Sequence, residues 1–372
     1  MTLLVLELAA GFYITRLADN RTFKLYASYR QMERRWGEPK FVQHRYIGYI
    51  PTPGYRHQKN CHNSLGYRGE EFPLAKPGGE FRIVCLGGST TYTSLVNDYR
   101  FSYPNLLEKE LKSRGYSQVR VINAGVGGYG SWETLLNFQF RVLDLDPDLV
   151  IVYHAINDVY SRLVWPPGAY RGDNSGRRIT NCDSGLIKES CLLQHFNLGR
   201  IVLVRLKIRP PIHDIASRHS VVPDTYHGHE CYVQKMKGIY PSGIFKKVRA
   251  MRMLHVNRPL YFERNLNHLV ALAKSRGVSV VLATFAYSPH FKNAPQASSR
   301  EFRYGIEEHN RLIGKIATEQ QVVLFPFADR FPRNCKYYID GRHVNVRGSR
   351  LNARLFAQYL EENQLIPRGK KM

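Results

Sequence analysis

Short apolar runs alternate with longer amphipathic stretches along most of this chain of 372 residues. The run Leu149-Val150-Ile151-Val152-Tyr153 is typical, because no polar residue interrupts it. A strand with one face in water alternates apolar and polar residues, whereas a strand buried on both faces is apolar throughout. The alternation therefore predicts a three-layer α/β/α sandwich with a mainly parallel central sheet. We predict strands over 81–86, 119–122, 149–153, 278–285 and 322–325, and helices over 103–113, 131–145, 260–275, 300–318 and 346–363.

Polar blocks follow three of the predicted strands directly. Ser89 comes after two glycines at the end of the first strand, and the glycine-rich block 123–131 follows the second strand. The block 154–158, which contains Asn157, follows the third. Because ligands of such sheets bind beyond the carboxyl ends of the strands, we expect all three blocks to contribute to one site.

Asp340 and His343 lie three residues apart in a turn-like segment near the other end of the chain. This spacing can place both side chains on one side of a single turn. A serine hydroxyl is a weak nucleophile unless a base takes its proton, and a carboxylate that orients the base assists this step. Ser89, His343 and Asp340 supply these three groups and are the predicted catalytic residues. His213 and Asp214 are a less favoured pair, because adjacent side chains project in different directions.

The four blocks, in this order and separation, resemble those of the SGNH hydrolase superfamily, which includes the GDSL-type esterases and lipases. The resemblance implies a flavodoxin-like α/β fold over residues 79–367. It also implies that Ser89 is the nucleophile, that His343 is the base and that Asp340 orients the base. Neither a metal nor an organic cofactor is implied.

The same resemblance implies a set of donors for the oxyanion of a tetrahedral intermediate. These are the N–H of Ser89, the N–H of Gly128 and the side-chain amide of Asn157, with Gly127 as the alternative to Gly128. Donors placed in advance where negative charge develops are what acyl transfer needs. Asp158 is expected to brace the third block.

Two positions depart from the family pattern. Gly88 stands where the first block has aspartate in Gly-Asp-Ser, which leaves open how the turn before the nucleophile is held. Ile156 stands where the third block has glycine, and it is expected to narrow the cleft beside Asn157. In proteins similar to this one, an Asn-Ser-x-Gly-x-Arg-Gly segment precedes the first block, and residues 63–69 have this pattern.

The activity implied is ester hydrolysis, but several substrates fit the same residues. The first is an acetyl or short acyl group on a carbohydrate, and the next is a lysophospholipid or another acyl ester. Acyl transfer to a sugar hydroxyl also stays open, because fold analogy does not decide the acceptor. A hypothesis of another class is a non-catalytic protein that binds an anionic polymer on a hydrolase scaffold.

Positive charge favours anionic partners of this chain. The formal net charge is +24, and residues 160–256, which we predict to be an insertion, hold 16 Lys and Arg against 6 Asp and Glu. Such a field attracts an acidic polysaccharide, an anionic membrane surface or nucleic acid. Nucleic acid is the weakest of these, because the sequence has no nucleic-acid-binding motif. A basic surface that serves only solubility is the alternative.

Residues 1–78 are predicted to form an N-terminal extension. Residues 3–14 are apolar apart from Glu7, and they are too short to span a bilayer, which takes about 20 residues. They fit either an interior helix or part of a membrane anchor, because proteins that resemble this one often carry such an anchor. We therefore expect an extracytoplasmic or membrane-associated enzyme.

Cysteine and histidine residues add few constraints. Cys85 lies inside the first predicted strand, whereas Cys182 and Cys191 flank a polar loop and would pair in an oxidising compartment. The cluster at residues 227–231, His-Gly-His-Glu-Cys, contains metal-ligand types without the spacing of a zinc site. We interpret it as a solvated loop.

Overall fold

The computed structural model describes residues 2–36, 40–44, 46–165, 167–174, 195–206, 208, 248–291 and 295–368. These residues fall into two compact units. One unit contains the described residues up to 52 together with 195–206 and 208, and the other contains the remainder. Several predictions concern residues outside the described ranges. These residues are Cys182 and Cys191, the less favoured pair His213 and Asp214, the cluster 227–231 and most of the insertion 160–256.

The second unit is built on a parallel sheet of five strands. With strands numbered in chain order, the sheet has the order β6-β5-β7-β8-β9, and every neighbouring pair is parallel. Counted within the sheet this is 2-1-3-4-5, an order of the doubly wound α/β folds. The predicted fold class is therefore confirmed. The sheet strands are β5 Phe81–Gly87, β6 Val119–Asn123, β7 Leu149–Tyr153, β8 Ser279–Ala283 and β9 Val323–Phe325, and a short antiparallel pair, β3 Arg56–His57 and β4 Asn60–Cys61, precedes them.

Both faces of this sheet are covered, which explains its apolar strands. Ile83 and Cys85 belong to one hydrophobic cluster, whereas Val84 and Leu86 on the same strand belong to another. Because alternate residues of a strand point to opposite faces, the two clusters are the two layers between sheet and helices. The α-helices of this unit are Ser89–Tyr92, Tyr103–Ser113, Ser131–Asn137, Ile156–Arg162, Ala250–Val256, Leu260–Ser275, Pro295–Ser298, Arg300–Glu319, Phe327–Arg330 and Val346–Glu362.

Most predicted elements agree with the observed ones to within one residue, and two differ by more. The strand predicted over 278–285 is shorter, at Ser279–Ala283. The helix predicted over 131–145 is α-helical only over Ser131–Asn137, and it continues as a π-helical turn and a 3₁₀ turn to Leu145. The chain thus stays helical through the predicted range while its winding changes.

The first unit is mainly helical. Its small core contains Ile14, Ala18, Phe23 and Ala27, with Ile201 packed against them. Its elements are the helices Thr2–Phe12, Asn20–Tyr26, Tyr29–Trp36 and Asn197–Arg205, a π-helical turn Tyr13–Leu17, and the antiparallel strands β1 Phe41–His44 and β2 Gly48–Pro51. Among the described residues of the whole chain, no helix is long and apolar enough to cross a membrane.

Candidate active site

The three predicted blocks lie at the carboxyl ends of adjacent strands. β5 ends at Gly87, and Ser89 is the first residue of the next helix. β5 is flanked by β6, whose last residue pairs with Cys85, and by β7, whose last residue pairs with Gly87. The sheet order thus brings the loops after β6 and β7 to either side of Ser89.

The structure brings Ser89, His343 and Asp340 together. Oγ of Ser89 lies 2.8 Å from Nε2 of His343, and Nδ1 of His343 lies 2.7 Å from Oδ2 of Asp340. The backbone N–H of His343 also donates to Oδ1 of Asp340, at 2.8 Å. One carboxylate therefore holds both the main chain and the ring of the histidine, in an orientation that directs Nε2 at the serine.

The Asp340 carboxyl is held in its ionised form. Burial alone would raise its pKa, but the hydrogen bonds and charge of His343, together with the charge of Arg342, keep that pKa well below the usual range of aspartate. Nε of Arg342 lies 3.5 Å from Oδ2 of Asp340, and Nη1 donates to the hydroxyl of Tyr160 at 3.3 Å. Sequence reasoning missed Arg342, although it lies between the two predicted residues.

The predicted oxyanion donors Ser89, Gly128 and Asn157 follow the adjacent strands β5, β6 and β7. Nδ2 of Asn157 donates to the carbonyl oxygen of Tyr129 at 2.7 Å, which fixes the side-chain amide. Gly128 has φ +86°, a conformation open to glycine. Its N–H finds no acceptor within the part of the chain that the structure describes. Ser89 starts a helix, and the first N–H groups of a helix have no partner inside it.

Asp158 joins the second block to the third. Its carboxylate accepts the backbone N–H and the hydroxyl of Ser131, with the hydroxyl oxygen 2.6 Å from Oδ1. His154, one turn earlier, lies 2.7 Å from the hydroxyl of Thr134. Burial lowers the pKa of His154 to about 3, so this ring stays neutral in ordinary buffers. These residues brace the loops and leave His343 as the histidine beside the serine.

Gly88 has no room for a side chain. A Cβ at this position would lie 2.7 Å from Nδ2 of Asn157 and 2.9 Å from the carbonyl oxygen of Tyr129. The aspartate of the usual family pattern is therefore incompatible with this packing. Ile156 is 3% exposed and packs in the hydrophobic core. That it narrows the cleft beside Asn157 stays a prediction.

Gly88→Asp, which restores the common Gly-Asp-Ser pattern, is expected to lower kcat for a small ester by about 10²–10³-fold, because the new side chain displaces the Asn157 amide. Gly78→Asp is the control, since a Cβ at Gly78 meets nothing within 4 Å. Steady-state kinetics on both folded variants give the comparison. Native-like turnover of Gly88→Asp would show that the amide is not displaced or not needed.

A parallel sheet with a hydrogen-bonded serine, histidine and aspartate at its carboxyl edge defines a hydrolase class of α/β protein. The sequence model of the GDSL-like lipase/acylhydrolase family matches residues 85–351. The chain belongs to this family, and the predicted SGNH relationship is confirmed. It is accordingly an enzyme that hydrolyses ester bonds. No curated protein sequence matches the chain.

Solved structures similar to the chain include a lipase/acylhydrolase from Enterococcus faecalis, at 14% identity and a TM-score of 0.45, covering 78% of this chain and 100% of that one. An acetyl xylan esterase is similar at 15% identity and a TM-score of 0.44, covering 75% and 100%. A GDSL-like lipase from Bacteroides thetaiotaomicron is similar at 16% identity and a TM-score of 0.41, and the match covers 78% of this chain and 92% of that one. Because these values are low, the family assignment rests on the sequence match.

Proposed function

We propose that the chain hydrolyses carboxylic esters through an acyl-enzyme on Ser89. The observation that carries this proposal is the unbroken pair of contacts from Ser89 Oγ through His343 to Asp340, 2.8 Å and 2.7 Å long. A hydroxyl in this arrangement has a base for its proton and a carboxylate that stabilises the resulting imidazolium.

The proposed reaction has two steps that use the same histidine. First, Ser89 Oγ bonds to the ester carbonyl carbon while its proton passes to Nε2 of His343. The tetrahedral intermediate then breaks the bond to the alcohol oxygen, which takes that proton. Second, water attacks the acyl carbon and gives a proton to His343, which returns it to Ser89 as the acid leaves. Asp340 stays a carboxylate throughout.

Labelling by a fluorophosphonate, with the adduct located by mass spectrometry, tests this mechanism. We expect one adduct per chain, on Ser89, and its loss in Ser89→Ala and His343→Ala. Ser113→Ala is the control, because Ser113 is exposed on a helix and donates only to the carbonyl oxygen of Glu110. A folded native protein that takes no label would contradict the proposal and favour the non-catalytic binder of an anionic polymer.

Asn157→Ala is expected to lower kcat by about 10²–10³-fold, the usual effect of removing one oxyanion donor. Asn157→Asp is expected to be at least as impaired, because a carboxylate places negative charge against the developing oxyanion. The comparison uses kcat for a small ester, with circular dichroism to show that each variant is folded. Unchanged turnover in folded Asn157→Ala would remove Asn157 from the proposed oxyanion site.

The substrate we propose is an acetyl or short acyl ester of an acidic carbohydrate. The net charge of +24 supports this choice, because a positive field raises the local concentration of anionic polymers. Comparing kcat/KM for acetylated neutral sugars, acetylated uronic acid oligomers and lysophospholipids tests it. We expect the uronic acid esters to have the highest kcat/KM at low salt, and we expect this difference to disappear at high salt. A lead for lysophospholipids would overturn the proposal, and an acylated sugar product would show transfer instead of hydrolysis.

We also propose that the enzyme works at an anionic membrane surface, bound through its N-terminal helix Thr2–Phe12. Leu3, Leu4 and Leu8 on this helix are 65–70% exposed. Glu7, its one charged residue, turns to another helix, where its carboxylate accepts the N–H groups of Asn197 and Leu198 at 2.6 Å and 2.8 Å. The outer face therefore carries leucines without a charge among them. Exposed apolar helix faces bind in the headgroup region of membranes, and the net charge of +24 attracts the protein to anionic lipids.

Sedimentation with phosphatidylcholine vesicles, with and without phosphatidylglycerol, tests membrane binding. We expect binding that increases with phosphatidylglycerol and is lost in Leu3→Glu combined with Leu8→Glu. Leu74→Glu is the control, because Leu74 is 51% exposed and lies outside this helix. Binding that survives the double substitution would contradict the role of the helix.

A further inference from the structure

The guanidinium of Arg68 lies beneath the turn that follows Ser89. Nη1 donates to the carbonyl oxygens of Tyr92 and Thr93 at 2.5 Å and 3.1 Å, and Nη2 donates to that of Val96 at 2.6 Å. Arg68 is 3% exposed, and it forms no ion pair within the described part of the chain. A buried charge is unfavourable unless its hydrogen-bonding groups are used. Here the N–H groups of Arg68 donate to main-chain carbonyl groups just beyond the proposed nucleophile.

We propose that Arg68 is a positioning residue that fixes the backbone of Ser89 for nucleophilic attack. The inference rests on the proposed acyl-enzyme, because it concerns the same serine. The carbonyl oxygen of Ser89 accepts the N–H groups of Thr93 and Ser94, the latter at 2.9 Å. Arg68 holds the carbonyl groups on both sides of the Thr93 residue. The main chain of Ser89 is thus tied to the guanidinium through one intervening turn.

The backbone of Thr93 is strained, and Arg68 contacts the carbonyl groups next to it. Thr93 has φ +62° and ψ 53°, the left-handed conformation, which is unfavourable for a β-branched residue. Such a conformation persists only where the surrounding structure holds it. Two of the contacts of Arg68 are to the carbonyl groups of Tyr92 and Thr93, which flank the strained angles.

Arg68 supports this turn where Gly88 cannot carry a side chain. A carboxylate has no room at Gly88, so the residue that usually stands before the nucleophile cannot act here. Instead, Arg68 lies 4.5 Å over the ring of Tyr92, and its Nε donates to Asn60 at 2.8 Å. The hydroxyl of Tyr92 is held in turn by Asn60 at 3.1 Å and by His62 at 2.7 Å.

Arg82 offers a matched control for substitutions of Arg68. It is also fully buried, and it lies at the start of β5, at the opposite end of the strand from Ser89. Like Arg68, it donates mainly to main-chain carbonyl oxygens, and these belong to Pro73, Leu74, Ala75 and Leu145. Replacing either arginine removes several contacts to main-chain carbonyl groups, and replacing Arg82 also removes its ion pair with Glu80 at 2.5 Å. Only the contacts of Arg68 lie beside the nucleophile.

The experiment compares Arg68→Met and Arg68→Lys with Arg82→Met and Arg82→Lys. For each folded variant we measure the melting temperature, kcat and KM for a small ester, and the rate constant of fluorophosphonate labelling. We expect Arg68→Met to lower kcat and the labelling rate by about 10²-fold, the effect of a small misplacement of a reacting group, with little change in KM. Arg68→Lys should lie between Arg68→Met and the native enzyme. The Arg82 variants should have lower melting temperatures than the native enzyme and a kcat within about twofold of the native value.

Two results would overturn the inference. One is a folded Arg68 variant with native kcat and labelling rate, and the other is an equal loss of kcat in the Arg82 variants. If Arg68→Met does not fold, the two lysine variants give the same comparison, because lysine keeps the charge but has one nitrogen in place of the three that donate from Arg68. Absence of Ser89 labelling in the native protein is a different result, which contradicts the proposed function itself.

Discussion

Replacement of Ser89 by alanine is expected to lower kcat for a small ester by at least ~10⁴-fold, and His343→Ala is expected to cost about as much. The reason is that Oγ of Ser89 and Nε2 of His343 lie 2.8 Å apart and act as one unit. Without the base the hydroxyl keeps its proton, and without the hydroxyl the base has nothing to activate. The double variant should therefore be no slower than either single variant.

The measurement is burst and steady-state kinetics on the three variants, with thermal unfolding as the check on folding. Ser89 is only partly buried, so removing one oxygen should leave the fold intact. Substantial activity of folded Ser89→Ala would place the nucleophile elsewhere. Losses that add up in the double variant would show that Ser89 and His343 act independently.

Asp340→Asn is expected to lower kcat by about 10⁴-fold, because an amide that donates to Nδ1 holds the imidazole in the wrong tautomer. The depressed pKa of Asp340 means that the native carboxylate stays ionised wherever the protein is folded in ordinary buffers. Its contribution to stability is present above the pKa of the unfolded chain, and it is lost as pH falls toward the lower folded pKa. The acid limb of a pH–rate profile should therefore not report Asp340.

Steady-state kinetics from pH 4 to 9 test this expectation, with Asp146→Asn as the control. Asp146 is an exposed carboxylate that pairs with Lys76, and its substitution should leave kcat unchanged. A folded Asp340→Asn enzyme within tenfold of native kcat would remove Asp340 from the orienting role. The imidazole would then be held by other groups.

Much of the fold could be predicted from the sequence because buried strands and amphipathic helices differ in period. The strand Leu149–Tyr153 and the helices Tyr103–Ser113 and Leu260–Ser275 have the predicted limits. The meeting of the blocks at one edge of the sheet was predictable for the same reason. Once the strands are parallel, the residue after each strand end lies at the same edge.

The supporting contacts could not be predicted, because they depend on packing between distant segments. Arg68 reaches Val96 across 28 residues, and nothing in the local pattern specifies this contact. The close approach of Gly88 to Asn157, which excludes aspartate from the first block, is likewise visible only in three dimensions. The change of helical winding after Asn137 leaves no clear mark, because the apolar spacing continues through it.

The serine and its base stand 254 residues apart along the chain. During synthesis, β5 and the loops that flank Ser89 emerge long before the segment with Asp340 and His343. A partly made chain can therefore contain Ser89 and the proposed oxyanion donors before the proposed base is present. Closing a loop of this length has an entropy cost that must be overcome before the contact forms. Under the proposed mechanism, reactivity at Ser89 therefore requires the whole domain, and a chain that stops before residue 340 has no esterase activity.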